Sequence, residues 1–315
     1  MSGITVTEYE VGRVSNAPAS VIGLGLFDGV HIGHRALIRE VVRRAAELGV
    51  TPAIFTFHLE TEGLKPGAPR IYGEKERLRL LDELGIKLVY IASFSSLSVL
   101  SPEKFASGVL VDELNCISAV SGLNFRFGKG ATGTSAMLSE IMTNRGREAR
   151  IIDDEQINGE TVSSTRIRTF LSDGDVETAA ELLGAPYLIS GEVKRGRGDG
   201  KVWGFPTINT ELRADTPLRN GVYATAVVID GAVYGGVTNL GTCPSFGERE
   251  IHAETMILDF NGDLYGRVVD IHLISFIRDE RSFSSPEELK ERIELDTALA
   301  RERIRTNKWL EIGQR

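Results

Sequence analysis

Two rhythms of apolar positions run along this chain of 315 residues. Up to about residue 185, short continuous apolar runs alternate with stretches in which apolar residues return every three or four positions. The first kind marks buried parallel strands and the second amphipathic helices. Residues 20–24 form such a run, and Leu37, Ile38, Val41, Val42, Ala45 and Ala46 then repeat at helical spacing over 35–48. Strands are expected at 51–57, 87–92, 116–120 and 149–152. A helix carrying Leu78, Leu80, Leu81 and Leu84 ends at Gly85, and Ser101-Pro102 caps another that runs to about Leu114. Further helices cover 136–142, open at 162–168 and follow Asp175, while residues 1–19 read as a polar lead-in. Strands alternating with helices in this way imply a doubly wound parallel sheet.

From Tyr187 the pattern changes. Residues 187–193, 221–229, 232–240, 254–260 and 268–276 are strand-like, with Gly, Asn and Asp between them, and Asp230-Gly231 is a hairpin signal. Strands without intervening helices predict an antiparallel Greek-key β-barrel. A terminal helix starts at Pro286 and runs towards Trp309, with Leu289, Ile293, Leu295 and Ala298 as its expected buried stripe. The fold class is therefore α/β plus all-β, with domains at 1–185 and 186–315.

Composition narrows the partners. Apolar content of 42% and charged content of 25% suit a globular protein, and the net charge of −8 gives no general attraction to nucleic acid or an anionic membrane. Cys116 and Cys243 are the only cysteines, too few for a disulfide framework, and read as small buried residues. No apolar signal core follows Met1 and no long apolar span occurs, so the cytoplasm is the expected location.

Candidate chemistry begins where the strand at 20–24 runs into Gly25-Leu26-Phe27-Asp28-Gly29-Val30-His31-Ile32-Gly33-His34. Glycines let the backbone approach a phosphate, and the helix start offers N–H groups and the positive end of its dipole. Two of the five histidines, His31 and His34, add donors over the same spot. Such a turn can hold a nucleotide phosphate and stabilise charge growing on it. A second glycine-rich loop at 122–133 carries Asn124, Arg126 and Lys129. Both loops follow strands, where doubly wound sheets take ligands. Val162-Ser163-Ser164-Thr165-Arg166-Ile167-Arg168 puts hydroxyls and arginines at a helix start, which suits a triphosphate. Alone, it reads more simply as a serine cap with a solvated basic face.

In the second half, Gly196-Arg197-Gly198-Asp199-Gly200-Lys201 is a basic glycine-rich loop followed by Gly204-Phe205-Pro206-Thr207-Ile208-Asn209. Thr207 and Asn209 point to one face of a strand, where a hydroxyl and an amide oxygen can help hold magnesium on a nucleotide. By itself this segment reads equally as a turn before a strand, and Glu254 as a surface glutamate paired with a basic neighbour.

The motifs resemble known families. His-x-Gly-His and Ser-Ser-Thr-x-x-Arg resemble the nucleotidyltransferase superfamily, and the longer Gly-x-Phe-Asp-Gly-x-His-x-Gly-His its flavin-making branch. Gly204-Phe205-Pro206-Thr207-Ile208-Asn209, Asn239-Leu240-Gly241-Thr242, Glu254 with its neighbours, Asp263-Leu264-Tyr265-Gly266 and the 276–283 tail resemble riboflavin kinases. Together they span almost the whole chain and resemble the bifunctional riboflavin kinase/FMN adenylyltransferases, also called FAD synthetases. The resemblance implies a Rossmann-like adenylyltransferase over 1–185 and a kinase barrel over 186–315. Riboflavin would be phosphorylated to FMN by ATP, and FMN adenylylated to FAD with release of pyrophosphate. Flavins are then substrate and product, and Mg2+ accompanies ATP.

The same resemblance implies roles. Glu254 is the expected base for the riboflavin 5′-hydroxyl, with Thr207 and Asn209 holding Mg-ATP. His31, His34 and Arg168 would stabilise the transferring group. ATP would contact Gly25, Phe27, Asp28, Gly29 and Gly33 in the turn, Ser164 and Thr165 at the later helix, and Gly200 and Lys201 in the barrel loop. Asn124, Arg126 and His58 are expected near the flavin of the first domain and Arg278 near that of the second. Small molecules (ATP, riboflavin and FMN) are the expected partners, with no nucleic acid or membrane, on a monomer or weak homo-oligomer. The chain departs from the pattern at Phe55-Thr56-Phe57-His58-Leu59, where the family usually carries Phe-x-Pro-His-Pro. His58 reads there equally as a site residue or a packed histidine. Lys201 stands where arginine is common, which keeps charge and loses bidentate geometry.

Overall fold

The computed structural model of the chain describes residues 3–14, 16–59, 68–195, 205–242 and 251–309. It divides into two compact units, Met1–Ser164 and Thr165–Arg315.

In the first unit, β1 (Thr5–Tyr9), β2 (Ser20–Leu24), β3 (Thr51–Phe57), β4 (Leu88–Ala92), β5 (Cys116–Gly122) and β8 (Glu148–Ile152) form one parallel sheet in the order β1-β4-β3-β2-β5-β8. Two small hairpins, β6 (Arg126–Phe127) with β7 (Gly133–Thr134) and β9 (Gln156–Ile157) with β10 (Glu160–Thr161), decorate it. Because side chains alternate across a strand, each central strand feeds two cores. Val21, Ile54, Val89 and Ile91 pack with Leu37, Ile38 and Val41 of α1 (Ile32–Leu48) and with Leu81 of α2 (Glu74–Glu83). Ile22, Leu24, Phe55 and Tyr90 pack on the other face with Phe105, Val109 and Leu110 and with Leu138 and Met142 of α4 (Ser135–Asn144). A single turn, α3 (Phe94–Leu97), follows β4.

Two features differ from expectation. The polar lead-in contains β1, an edge strand paired only with β4. Its Thr-Val-Thr-Glu-Tyr alternation is short, and only Tyr9 of the five is fully buried, so its hydrophobic signal is weak. The helix after Ser101 is capped by that serine, whose Oγ accepts from Lys104 N (3.2 Å). Over Lys104–Glu113, however, it widens to an i→i+5 pattern that ends with Leu114 N donating to Val109 O (3.0 Å). Such widening is invisible to a 3.6-residue period. Cys116 is fully buried and its thiol is pushed up to about 12 by burial, which keeps it inert.

In the second unit, α5 (Ser164–Asp173, entered from the first) and α6 (Val176–Leu183, capped by Asp175) precede β11 (Tyr187–Glu192), and α6 packs on β11 and β16 (Val268–Arg278). With β12 (Thr207–Glu211), β13 (Gly221–Ile229), β14 (Ala232–Thr242) and β15 (Ile251–Ile257) these strands form an antiparallel sheet, order β11-β16-β13-β14-β15-β12. The run β16-β13-β14-β15 is the Greek-key order, with the fourth strand returning beside the first. Lys194 N donates to Asn209 O (2.8 Å) and brings the two outer strands together at one end. Asp230 and Gly231 both have positive φ (51° and 81°), as the two-residue primed turn between β13 and β14 requires.

The last helix, α7 (Pro286–Arg305), is capped by Ser285, which accepts from Glu288 N. Its buried face matches the expected one only in part: Leu289 and Ile293 are half-buried and line a cavity, but the other two differ. Leu295 is 56% exposed and Ala298 is exposed, whereas Asp296 is 1% exposed and Ala300 fully buried. Asp296 is buried because Arg278 of β16 clamps it, Nε at 2.9 Å and Nη2 at 2.8 Å from Oδ2, with Arg292 Nε 2.9 Å from Oδ1. Removing one partner of a buried pair leaves the others uncompensated. Asp296→Ala is expected to cost about 3–5 kcal/mol of stability. Urea unfolding followed by tryptophan fluorescence measures it, since both tryptophans, Trp203 and Trp309, belong to this unit.

Candidate active sites

The turn after β2 sits where the strand order reverses, between β2 and β5, at their carboxyl ends. Its backbone is unusual: Phe27, Gly29 and Val30 all have positive φ (56°, 84° and 43°). Gly29 is confined further, because a Cβ there would lie 2.8 Å from Ile71 Cδ1. His31 is the N-cap of α1, and its Nδ1 accepts from His34 N (3.4 Å). That bond places the ring proton on Nε2. The two imidazoles stack at 3.7 Å between centroids, with the Phe27 ring 5.2 Å from that of His34. Burial lowers His31 to about 4, and burial together with His31 holds His34 well below its ordinary value. Both are therefore neutral hydrogen-bond donors near pH 7.

The expected ATP-binding residues of this turn fall into two groups. Gly25 lines a cavity, and Gly33 lies where a Cβ would come 3.3 Å from His31 Cε1. Phe27 and Asp28, in contrast, are buried, and Asp28 Oδ1 accepts from Ile71 N (3.0 Å). Ser164 Oγ donates to Asp28 O (2.9 Å), joining the second motif to the first. Thr165 and Arg168 belong to the other unit, where Arg168 Nη2 donates to Thr165 Oγ1 (3.3 Å).

Beside Gly25 opens a cavity of about 340 Å³ whose walls are aromatic. Phe55, Phe57, Phe94, Phe105, Phe125 and Phe127 line it, six of the chain's 13 phenylalanines. Phe57 meets Phe94 edge-on (5.4 Å, 76°) and Phe125 stacks on Phe127 (5.6 Å, 17°). Arg126 lines the rim. Asn124 is exposed nearby in sequence and donates to Asp154 Oδ2 (2.6 Å). Periodicity assigns these phenylalanines to the core one by one. The available signal was that most fall at or just beyond strand carboxyl ends.

His58 stands apart from that cavity's lining. Its Nε2 lies 2.8 Å from Glu8 Oε2 and its Nδ1 3.3 Å from Glu74 Oε2, so both ring nitrogens are engaged in tying β1 to α2. Burial pulls its pKa down, but hydrogen bonds and charge from Glu8 and Glu74 outweigh this and hold it above the ordinary value. The three histidines act oppositely on stability. His58 stabilises below its unfolded pKa of about 6.5 and loses this as pH rises through its folded value. His31 and His34 stabilise above about 6.5 and lose this as pH falls towards 4. Stability is therefore expected to fall from pH 6.5 to 4, by up to about 1.4 kcal/mol per pH unit for each buried histidine. Thermal melts of the chain with both replaced by asparagine should show a flatter slope.

In the second unit the predicted kinase residues come together through strand register. Asn209 pairs with Glu254, Glu254 with Asn239, Asn239 with Val222, and Val222 with Arg278. Directly paired residues share a face, so these five form a row across the sheet. Thr207 Oγ1 donates to Glu254 Oε1 (2.7 Å). A cavity of about 300 Å³ is lined by Val222, Asn239, Glu254 and Arg278 of this row, with apolar walls from Phe205, Val237, Met256, Phe283 and Ile293 and with Glu254 and Glu280 among its polar groups. Arg278 lines it, although its guanidinium is held by Asp296 and by Asp279 O (2.9 Å). Asn239 belongs to the same row; the sequence offers it only as the first residue of a kinase-like motif, with no role, and register sets it beside Glu254. Gly200 and Lys201 lie outside the described residues.

Known proteins share both halves. A model for FAD synthetase matches residues 14–166 and one for riboflavin kinase residues 183–304. Over 286 residues the chain is 35% identical to the bifunctional riboflavin kinase/FMN adenylyltransferase of Bacillus subtilis (strain 168), covering 88% of this chain and 90% of that one. The chain belongs to the bifunctional riboflavin kinase/FMN adenylyltransferase family. The member from Escherichia coli (strain K12) is 33% identical over 299 residues, covering 93% of this chain and 96% of that one. A crystal structure described as a macrolide-efflux protein from Streptococcus pneumoniae matches with a TM-score of 0.82 at 29% identity, over 95% of this chain and 99% of that one. In this family member, no helix among the described residues is long and apolar enough to cross a membrane. Phe57, in the 55–59 segment expected to depart from the family pattern, is a wall of the aromatic cavity.

Proposed function

We propose that the family's two reactions, phosphorylation of riboflavin to FMN and adenylylation of FMN to FAD, run at the two cavities described. The kinase is read in 186–315 and the adenylyltransferase in 1–185. The observation that carries this reading is that each motif cluster converges on its own cavity. Glu254 and Thr207 line one, with Asn209 paired to Glu254 beside it, and the His31–His34 turn borders the other through Gly25.

In the kinase, Glu254 takes the proton of the riboflavin 5′-hydroxyl as that oxygen bonds to the γ-phosphorus and ADP leaves. The apolar walls suit the flavin ring system. Thr207 commits its hydrogen to Glu254, which leaves the lone pairs of its oxygen for a cation. A hydroxyl, the Asn209 amide oxygen and a carboxylate are hard oxygen donors, a set that fits Mg2+ held mainly by nucleotide phosphates and water. Bound there, Mg2+ would neutralise charge on the phosphates.

In the adenylyltransferase, an FMN phosphate oxygen bonds to the α-phosphorus of ATP and pyrophosphate leaves. No proton is needed from the protein, which explains why neutral histidines suffice. The Nε2–H of His31 and the start of α1 stabilise charge on the phosphates, with His34 beside them. Ser164, whose hydroxyl meets Asp28 O, acts as the phosphate-binding residue of its motif on this side. The isoalloxazine lies among the six phenylalanines, where aromatic rings favour stacking, and Arg126 faces its phosphate.

Incubation of the chain with riboflavin, ATP and Mg2+, with flavins separated over time, tests this reading. FMN first and FAD later supports it. FMN without FAD, even when FMN is supplied, contradicts it.

A further inference from the structure

Among the described residues, the largest fully buried side chain is that of Arg77, on α2, with no exposed surface. A guanidinium is held in a protein interior only where it is paired and hydrogen-bonded. The partners of Arg77 lie in the adenylyl-transfer turn and the strand beside it. Its Nη1 donates to Leu26 O (3.0 Å), Thr56 Oγ1 (3.1 Å) and Phe57 O (3.1 Å). Thr56 Oγ1 donates in turn to Leu26 O (3.1 Å). Glu74 Oε2 stands 3.6 Å from Nη2 and also meets His58. One carbonyl, that of Leu26, is therefore fixed from beneath by two side chains.

That carbonyl precedes the unusual part of the turn. Phe27 and Val30 carry side chains at positive φ, and Val30 is β-branched, a combination that strains the backbone. Strained residues persist only where the surroundings over-determine them. Several bonds do this here: Arg35 Nε donates to Val30 O (3.1 Å) and Val30 N to Phe27 O (3.3 Å). Arg77 and Thr56 hold Leu26 O, Ile71 N holds the Asp28 carboxylate, and Ser164 holds Asp28 O. Four residues after Asp28 O comes the start of α1, with His31 as its cap.

We infer that Arg77 is a positioning residue for adenylyl transfer, which anchors the strained turn through Leu26 O and so sets where His31 and the start of α1 meet the nucleotide. The inference rests on placing that reaction at the 25–34 turn. Arg77 touches no substrate; it acts through the backbone. Loosening the anchor displaces the donors, and a displacement of about 1 Å can lower a rate by about 100-fold. FMN binding, which rests on the aromatic cavity, is left in place.

The test uses the full chain and measures kcat and KM for FAD formation from supplied FMN, with FMN formation from riboflavin on the same preparation. Arg77→Gln is expected to lower kcat for FAD formation by about 10–100-fold, with KM for FMN and the kinase rate unchanged. Arg77→Lys keeps the charge and three donors on a shorter stem, and partial recovery of kcat is expected. Thr56→Val, a milder change that keeps the side-chain shape, should lower kcat in the same direction by several-fold. It guards against an Arg77 variant that fails to fold. His34→Ala reports separately on the site. If His34→Ala lowers FAD formation while the Thr56 and Arg77 variants retain wild-type kcat, the inference is overturned alone. Wild-type FAD formation by His34→Ala overturns the placement beneath it. A rise in KM for FMN with unchanged kcat would also overturn the positioning role.

Discussion

Glu254→Gln is expected to lower kcat for FMN formation by about 10²–10⁴-fold, the usual range for loss of a positioned general base. The amide has the carboxylate's size and can still accept from the Thr207 hydroxyl, which now lies 2.7 Å from Oε1. The row Asn209–Glu254–Asn239 is held by backbone register and stays in place. What disappears is the ability to take the proton of the attacking hydroxyl. KM for riboflavin should change little, because the cavity's apolar walls are untouched. FAD formation from supplied FMN should be unchanged. Steady-state kinetics with each flavin as the starting substrate measures both. A kinase rate within a few-fold of wild type would remove Glu254 from the chemistry.

The second large effect belongs to the turn. His34→Ala is expected to lower FAD formation by about 10²–10³-fold, as loss of one preorganised donor to developing charge does in comparable sites, and to leave the kinase unchanged. The His34 ring is also structural, since it stacks on His31 at 3.7 Å, so the loss includes a freer His31. The pH profile separates neutral donors from cations. Burial holds His31 at about 4 and His34 below its ordinary value. FAD formation should thus show no rise attributable to these rings between pH 8 and 6. A rate climbing as pH falls through that window would mean that an imidazolium is required.

How much of this was legible in the sequence depended on distance. Strands built on local apolar runs, such as β3 and β13, fall where periodicity puts them, because burial on both faces leaves a signal within the strand itself. The two histidines and the Thr207–Asn209 pair were legible for a similar reason: each is a short motif whose geometry follows from one turn or one strand. What escaped needs partners far along the chain. Arg77 bonds to residues 51, 21 and 20 positions away, and on α2 it looks like one more exposed helix charge. Asp296 is polar by type and buried by Arg278, 18 positions earlier, so hydropathy placed Leu295 and Ala298 on the buried face of α7 in place of Asp296 and Ala300. The aromatic cavity gathers phenylalanines from β3, α3, the helix at Lys104–Glu113 and the stretch 125–127, each unremarkable alone. Asn239 enters its site through the pairing of β14 with β15.

The central claim is that two separate sets of residues carry the two reactions on one chain. Mixing tests it most directly. Glu254→Gln and His34→Ala proteins are each supplied with riboflavin, ATP and Mg2+, alone and together, and the flavins are separated over time. Each alone should yield almost no FAD, the first for lack of FMN and the second with FMN accumulating. Together they should form FAD from riboflavin, as FMN released by the second is taken up by the first. Failure of the mixture, when the Glu254→Gln protein still converts supplied FMN to FAD and the His34→Ala protein still makes FMN, would contradict two separable sites.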